Sequence, residues 1–208
     1  MRFSTFFSKQ ARKPSGLFGR FIMANIFNIG NAFLNKMVRD VLKVKNNDQV
    51  LDIGCGTGKL VKNLANQISD GYIEGVDFSN SMVSIALRKN NHSIRKGNVN
   101  ITEGNFDDLS YPDESFSKVC CVNTIYFWPK PEVTAQKIKS ILKPGGILVI
   151  AFEDIQQLEQ KNLNNDVFIL YTTEDVKNLL SRSGFAKGIE VITKNKGKSR
   201  FHCVVAKK

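Results

Sequence analysis

The sequence predicts one α/β domain built on a mostly parallel sheet, with an antiparallel pair of strands along one edge. From about residue 50 onward, short runs rich in Val, Ile or Cys alternate with longer helical patterns, which is typical of parallel sheets covered by helices. The length of 208 residues, with 42% hydrophobic residues, suits one folded domain and excludes global disorder. The predicted parallel strands span residues 49–53, 72–76, 100–103, 118–122 and 147–152.

Amphipathic helices are predicted between these strands. Residues 59–67 place apolar side chains on one face, and residues 80–89 follow Asp77 and Ser79, which can cap a first helical turn. Residues 131–142 begin with a proline, which is favoured at the start of a helix. The Lys-Pro-Gly-Gly sequence that follows predicts the end of this helix and a reversal into the fifth strand.

The pattern changes beyond residue 153, where polar stretches separate weaker periodic segments. Thr172 has the character of a helix N-cap and Gly184 that of a helix end. Two apolar runs on either side of a basic segment predict the antiparallel pair. The predicted elements are an irregular or helical excursion at 154–166, a helix from Thr172 to Gly184, strands at 185–193 and 200–206, and a hairpin loop at 194–198.

The formal net charge of +11 is concentrated at the two ends of the chain. Residues 1–39 hold seven Lys or Arg and no acid, and residues 187–208 hold seven Lys or Arg and one acid. These segments can attract polyanions or anionic lipid, whereas the region between them is slightly acidic. Every uncharged apolar run is far shorter than the roughly 20 residues of a membrane span.

The N-terminal segment combines basic and aromatic residues. Phe3, Phe6 and Phe7 recur at helical spacing, which predicts an amphipathic helix. We expect this helix to pack on its own domain. Contact with a membrane surface and an organellar presequence are alternatives that the same pattern leaves open.

All four cysteines are predicted to be free thiols. Cys55, Cys120, Cys121 and Cys203 form no Cys-x-x-Cys pair and have no metal-ligand spacing. The chain lacks the apolar region of a secretory signal, so we expect a reducing, cytoplasmic environment. Cys120, Cys121 and Cys203 are expected to pack inside strands.

The most specific motif is a glycine-rich loop that follows the first predicted strand. Gly54, Gly56 and Gly58 alternate with Cys55 and Thr57 before a helix begins. Glycines permit a tight turn and close approach of a ligand, and a helix start offers unpaired N–H groups. The spacing differs from the dinucleotide fingerprint and from a P-loop. It therefore predicts a nucleotide-like ligand and argues against a nicotinamide oxidoreductase.

Two acidic residues refine this ligand prediction. Asp52 lies directly before the glycines, where its charge would repel a pyrophosphate and attract an ammonium or a sulfonium. Asp77, at the end of the second strand, is placed to accept hydrogen bonds from two ribose hydroxyls. A cap on the following helix is the alternative role for Asp77, and we favour the ribose contact.

Several stretches in order resemble the motifs of the class I S-adenosylmethionine-dependent methyltransferases, of the type that includes the ubiquinone and menaquinone C-methylases. They are VLDIGCGTGKL, EGVDFSNSM, EGNFDDLSYPDESFSKVCCVNTIYFW and ILKPGGILVI, extended by YTTEDVKNLLSRSGF. The resemblance implies a Rossmann-like doubly wound sheet of seven strands in the order 3-2-1-4-5-7-6 and S-adenosyl-L-methionine as the cofactor. It also implies a single methyltransferase domain, 1–208, with an N-terminal helical lid at 1–45, a cofactor-binding core at 46–153 and a C-terminal helix and hairpin at 154–208.

The resemblance further implies where the cofactor binds. The glycine loop would pass under its methionine and ribose parts, with Asp52 near the amino group and Asp77 on the ribose diol. Asn105 and Phe106 replace the Asp-Ala pair that the family often uses at the adenine, and the Asn carbonyl oxygen can accept the same hydrogen bond. The implied cofactor-binding residues are Asp52, Gly54, Cys55, Gly56, Thr57, Gly58, Asp77, Phe78, Met82, Asn105, Phe106, Asn123 and Thr124, with no metal ligand.

Methyl transfer from a sulfonium depends mainly on alignment and desolvation of the reactants. Tyr126, Glu153 and Asp107 are the candidates for a catalytic base, and each is also explained by a structural role. His92, in an Asn-rich link, and His202, in the last strand, are predicted to be structural.

The predicted acceptor is a small molecule of lipophilic or anionic character, recognised through a lid at residues 18–35. An RNA or protein methyltransferase that uses the basic termini and a non-catalytic S-adenosylmethionine-binding module remain alternatives. Nucleic acid is the less favoured partner because residues 123–126 lack the prolines of the amino-methylating motif. We expect a cytoplasmic protein, with peripheral contact to a membrane surface through the basic N-terminus as a further alternative.

Overall fold

The computed structural model describes residues 2–16, 22–161, 163–164, 166–185 and 188–208, with the backbone alone at residues 2–4, 7 and 27. In these ranges seven strands form one sheet in the order β3-β2-β1-β4-β5-β7-β6, as predicted. The first five strands pair in parallel, and β7 pairs antiparallel with both β5 and β6. The strands are β1 Gln49–Ile53, β2 Tyr72–Asp77, β3 Val99–Glu103, β4 Phe116–Val122, β5 Leu142–Glu153, β6 Glu190–Lys196 and β7 Ser199–Lys207.

Helices cover both faces of this sheet. Along β1, Val50 packs in one apolar cluster while Leu51 and Ile53 pack in the other, because successive side chains of a strand point to opposite faces. The cluster around Val50 includes residues of α3, α4 and α5, and the opposite cluster includes residues of α6 and α8. The helices are α1 Arg2–Arg12, α2 Ala24–Gly30, α3 Ala32–Leu42, α4 Lys59–Ala65, α5 Asn80–Arg95, α6 Pro131–Ile141, α7 Ile155–Glu159 and α8 Thr173–Arg182.

The Asn-rich segment near residue 90 was wrongly predicted as a link. Helix α5 continues through it to Arg95, so His92 lies on a helix. The side chain of Asn90 is buried and donates hydrogen bonds to the carbonyl oxygens of Ala86 and Gly58. The amide N–H groups of Asn90 are therefore paired inside the helix, while its Oδ1 is buried without a partner in the described structure.

The predicted five-residue hairpin loop at 194–198 is also wrong. Strand β6 extends to Lys196, which pairs with Ser199, so the turn has two residues. Gly197 at its first position has φ 60°, as a type II′ turn requires. The whole Lys-Pro-Gly-Gly segment likewise belongs to β5, so this strand begins before the glycines and not after them as predicted. The pairing of β5 with β4 shifts register near its start.

The N-terminal helix α1 packs on the domain through its second half. Ser8 is fully buried and its Oγ accepts a hydrogen bond from the backbone N–H of Asn164. Ala11 packs against the apolar cluster that contains α6 and α8. Phe6 is 45% exposed, and the side chains of Phe3 and Phe7 lie outside the described part of the structure.

The four cysteines are buried and free, in agreement with the prediction. Cys120 and Cys121 lie on β4 and Cys203 on β7, where their side chains pack in the core. In the described ranges, no helix has the length and apolar character needed to cross a membrane.

Candidate functional site

A cavity of about 400 Å³ opens at the carboxyl ends of β1, β2 and β4. The strand order reverses between β1 and β4, and this is the point where parallel α/β sheets form a ligand crevice. The cavity is lined by all of the predicted cofactor-binding residues except Gly58. The predicted base candidates Tyr126, Glu153 and Asp107 also line it.

The glycine loop forms the floor of this cavity at the end of β1. Gly54, Gly56 and Gly58 have φ values of 71°, 53° and 67°, a conformation that side chains other than glycine rarely adopt. A Cβ on Gly54 would lie 2.2 Å from the Thr124 side chain, so the two loops can meet only if residue 54 is glycine. A Cβ on Gly56 would meet nothing within 4 Å.

Gly58 packs against α5 and does not line the cavity. A Cβ at this position would lie 2.5 Å from the Asn90 side chain and 2.9 Å from that of Ala86. Gly58 therefore allows the start of α4 to approach α5 closely. This explains why Gly58 does not line the cavity although it belongs to the glycine motif.

Asp77 joins the glycine loop to the start of α5. Its Oδ2 accepts a hydrogen bond of 2.9 Å from the Gly56 backbone N–H, and its Oδ1 accepts one of 2.8 Å from the Ser79 backbone N–H. The N-cap of α5 is Ser79, so Asp77 does not itself cap the helix. Burial raises the pKa of Asp77 to about 6, against the lowering effect of these two hydrogen bonds.

Asp52 is the most deeply buried acid of the cavity, with 2% of its surface exposed. Burial raises the pKa of Asp52 to about 7. The hydrogen bond from the Cys120 thiol, 3.7 Å from Oδ1, lowers this pKa, and the nearby charge of Asp77 raises it. In the described parts of the chain, neither Asp52 nor Asp77 has a cation within ion-pair distance. Two adjacent buried carboxylates without a counter-cation favour a positively charged ligand.

The predicted adenine end combines an exposed amide with a buried ring. Asn105 is exposed and its Nδ2 donates to Asp108, which leaves the amide oxygen as an acceptor. The ring of Phe106 is buried and stacks on Tyr111 at a centroid distance of 6.1 Å. Met82 is buried and Phe78 half-buried, and both line the same cavity.

The loop after β4 carries Asn123 in a left-handed conformation, with φ 55°. Its Nδ2 donates to Asn31 Oδ1 at 2.9 Å, and its Oδ1 lies 3.3 Å from the Tyr126 hydroxyl. Tyr126 also accepts a hydrogen bond of 2.9 Å from the Glu153 backbone N–H. Burial raises the pKa of Tyr126 well above its usual value, so its hydroxyl stays protonated near neutral pH.

The helical segment before β1, residues 2–16 and 22–42, is named the cap and contacts the glycine loop. Thr57 Oγ1 donates to Asn28 Oδ1 at 2.6 Å, and Lys89 Nζ donates to Thr57 Oγ1 at 3.0 Å. Lys59 Nζ donates to the Asn28 carbonyl oxygen at 3.3 Å. Further along the cap, the Ser79 hydroxyl donates to the carbonyl oxygen of Pro14. Together with the bond between Asn123 and Asn31, these contacts attach the cap to three loops of the cavity.

Apolar side chains make up part of the cavity wall. Phe127 and Phe168 pack edge to face at 4.7 Å, and Ile26, Leu158 and Leu163 line the same cavity. Three basic residues among the described ones also line the cavity. Arg12 is exposed, Lys59 donates to the Asn28 carbonyl oxygen, and Lys161 is paired with Glu153 at 2.6 Å.

Several residues of this site carry no individual signal in the sequence. Asn28 and Asn31 fall within the predicted lid at 18–35, of which residues 18–21 lie outside the described ranges. Lys89 had no motif to mark it, because it meets Thr57 and Asn28 only through the packing of distant segments. The amphipathic period of α5 was the one signal that could have suggested a direction for Lys89.

Comparison with known proteins agrees with this geometry. Residues 44–199 match the family model described as a methyltransferase domain. The chain is 26% identical to the demethylmenaquinone methyltransferase of Lactobacillus johnsonii, over 89% of this chain and 87% of that protein. It is 34% identical to a probable methyltransferase of Aspergillus luteorubrus, over 50% of this chain but only 40% of that protein.

A solved structure has the same fold. An S-adenosylmethionine-dependent methyltransferase from Aquifex aeolicus superimposes with a TM-score of 0.67 at 22% identity, covering 83% of this chain and 88% of that one. The family model covers most of the chain, including every strand from β1 to β6 and the glycine loop. The chain therefore belongs to the class I S-adenosylmethionine-dependent methyltransferases, and S-adenosylmethionine is the cofactor of its family.

Proposed function

We propose that the cavity binds S-adenosylmethionine through Asp52 and Asp77 and transfers the methyl group to a small acceptor with an apolar body. One observation carries the proposal: two neighbouring buried carboxylates have no counter-cation in the described structure. The cofactor has two positive groups, a sulfonium and an ammonium, which offset the cost of burying these charges.

Asp77 is suited to the ribose because its two backbone hydrogen bonds fix the carboxylate without using all of its acceptor sites. An ionised carboxylate can accept about four hydrogen bonds, so two remain for the ribose hydroxyls. Asp52 lies before the loop and is assigned to the ammonium group. Gly56, whose Cα faces open space, lets the cofactor approach the backbone.

The adenine is assigned to the end of the cavity that contains Phe106. Its buried ring, together with Met82 and Phe78, gives the base an apolar environment. The Asn105 amide oxygen is assigned to the exocyclic amine of the adenine, and Asn123 and Thr124 to the methionine part.

The acceptor is assigned to the region around Phe127, Phe168 and Leu158. This surface is aliphatic and aromatic, which favours a lipophilic molecule. Arg12 at the same cavity favours an acceptor with a negative group, whereas Lys161 is already paired with Glu153.

The cofactor supplies a methyl carbon activated by the sulfonium, which an acceptor nucleophile attacks in line as the carbon–sulfur bond breaks. The residues around this carbon then align the acceptor and exclude water. Tyr126 is unsuited to act as a base because its pKa is far above neutral. Glu153 and Asp107 remain candidate bases, and each already has a partner, Lys161 and Thr134 respectively.

The N-terminal segment 1–45 is proposed to act as a lid over the cofactor. Two hydrogen bonds support this proposal, because the one between Asn28 and Thr57 joins the segment to the glycine loop and the one between Asn31 and Asn123 joins it to the loop after β4. Such a lid excludes water during transfer and must release before the product cofactor can leave.

The test is calorimetry with S-adenosylmethionine and S-adenosylhomocysteine on the wild type and on Asp77→Ala. The variant should weaken binding by about 1–3 kcal/mol, because it leaves two ribose hydroxyls without acceptors. The matched control is Asp70→Ala, an exposed acid in the loop before β2 and outside the cavity. Equal affinity in wild type and Asp77→Ala would overturn the ribose assignment.

An acceptor screen then separates the enzyme from its alternatives. Turnover of apolar small molecules supports the proposal. Cofactor binding without turnover across a broad panel would favour a non-catalytic binding module. Methylation of RNA or protein in place of small molecules would redirect the assignment to the basic termini.

A further inference from the structure

Helix α2 and the residues just before it present an apolar stripe to solvent. Ile22, Ile26 and Ile29 recur at helical spacing and are 47%, 41% and 76% exposed. The opposite side of the same segment is buried through Met23 and Ala24. Three branched aliphatic side chains on one exposed helix face exceed the scattered apolar residues that a protein surface usually has.

The basic C-terminal hairpin reaches this part of the molecule. Lys196 Nζ lies 6.0 Å from the centre of the Phe33 ring, and Phe33 is the second residue of α3, directly after α2. Lys194 and Lys36 line one shallow groove between the hairpin and α3. The two basic ends of the chain, which are far apart in sequence, therefore meet at α3, the helix that follows α2.

Negative charge is nearly absent from this surface. Residues 1–39 contain no acid, and Asp40 in the shallow groove is paired with Arg39 at 3.6 Å. The ring contacts of Phe33 with Lys196 and with Phe201, at 5.1 Å, hold the hairpin against the cap. The result is a group of lysines around α3, which follows the exposed isoleucines of α2 along the chain.

This surface also adjoins the mouth of the cavity. Ile26 is part of the exposed stripe and also lines the cavity. Arg12, an exposed base of the cap, lines the same cavity. A partner bound at the stripe would therefore lie beside the route into the acceptor region.

We infer that this docking face, formed by Ile22, Ile26, Ile29, Lys36, Lys194 and Lys196, binds the surface of a membrane that contains anionic lipid. The isoleucines enter the boundary between headgroups and acyl chains, and the lysines place their charged ends near lipid phosphates. The charge complementarity favours anionic lipid over neutral lipid. A lipid surface is favoured over RNA because aliphatic side chains offer no ring on which a base can stack. The binding does not depend on the proposed methyl transfer.

Cosedimentation with vesicles tests the inference. The wild type should bind phosphatidylcholine vesicles containing about 30% phosphatidylglycerol, bind vesicles of phosphatidylcholine alone much more weakly, and lose affinity as salt rises. The variant Ile22→Asn/Ile29→Asn should bind about tenfold more weakly, because its stripe no longer enters the interface. The variant Lys194→Gln/Lys196→Gln should also lose about tenfold, with less dependence on salt.

Matched controls lie elsewhere on the surface. Val133→Asn replaces an exposed aliphatic residue of α6. Lys143→Gln/Lys207→Gln removes two exposed lysines at the opposite end of β5 and β7. Both should bind vesicles as the wild type does, and circular dichroism and thermal unfolding should match for all variants.

Three results would overturn the inference. One is an absence of wild-type binding to anionic vesicles at low salt. Another is an equal loss of binding in the control variants. The third is tighter binding to a single-stranded RNA oligonucleotide than to vesicles, reduced by the lysine substitutions alone, which would assign the surface to nucleic acid.

Discussion

The affinity for S-adenosylmethionine should depend on pH through the ionisation of Asp52. Burial raises the pKa of this carboxyl to about 7, so it is mostly ionised at neutral pH and above and mostly protonated below pH 6. A cationic ligand binds the ionised form, and affinity is therefore expected to fall as the pH falls. Lowering the pH from about 7.5 to about 5.5 reduces the ionised fraction about 25-fold, which is about 2 kcal/mol.

Calorimetry in buffers of different ionisation enthalpy measures this linkage directly. Near pH 6 most of the free protein carries a proton on Asp52, so ionisation of Asp52 on binding should release close to one proton, and ionisation of Asp77 about half a proton more. The variant Asp52→Asn should bind more weakly at pH 7.5 and lose most of the pH dependence. In this variant the protonation of Asp77, whose pKa is about 6, should still lower the affinity about fourfold between about pH 7.5 and about pH 5.5. A flat profile in the wild type, without proton release, would refute the role of Asp52.

The remaining predictions concern stability and the cap. The pKa of Asp52 is higher in the folded protein than its unfolded value of 3.8, so the folded protein binds a proton more tightly and the stability of the unliganded protein falls as pH rises from about 4 to about 7. Asp52→Asn should therefore raise the free energy of unfolding at pH 8 by up to about 4 kcal/mol and leave it unchanged at pH 4. Urea titrations at the two pH values measure this difference. Gly54→Ala combines a positive φ with a side-chain clash and should lower the free energy of unfolding by more than about 2 kcal/mol. Gly197→Ala has a similar φ but open space around the new Cβ, and should lower it by only about 1–2 kcal/mol in the same titrations. Equal losses in the two variants would contradict the clash at Gly54. Asn28→Ala removes the hydrogen bond to Thr57 and should speed the release of S-adenosylhomocysteine about tenfold in stopped-flow measurements. Asn25→Ala, on the exposed side of the same helix, should leave the release rate unchanged. Identical release rates in the two variants would contradict the proposed lid.

The strands and the glycine loop were predictable because their signals are local. Each buried strand is a short apolar run between turn residues, and the alternation with helices fixes the sheet class. Asp52 and Asp77 were predictable because strand ends at one edge of a parallel sheet point into one crevice. The length of α5 and the hairpin turn were not, because Asn and Lys were interpreted as loop residues. In the fold, Asn90 donates to the Gly58 carbonyl oxygen and strand pairing continues to Lys196.

The parts of the site that depend on long-range packing could not be obtained from the sequence. Gly58 belongs to the motif but serves the contact between α4 and α5, which only the fold reveals. Lys89 meets Thr57 and Asn28 because α5 and the cap converge on the glycine loop, and none of the three has a local sequence signal for that contact. The meeting of the two basic chain ends is of the same kind.

A crystal structure with bound S-adenosylhomocysteine tests the central assignment most directly. Both ribose hydroxyls should lie within hydrogen-bond distance of Asp77, and the ammonium group of the ligand should lie beside Asp52, above the glycine loop. A ligand bound elsewhere, with these two carboxylates contacting no part of it, would contradict the account.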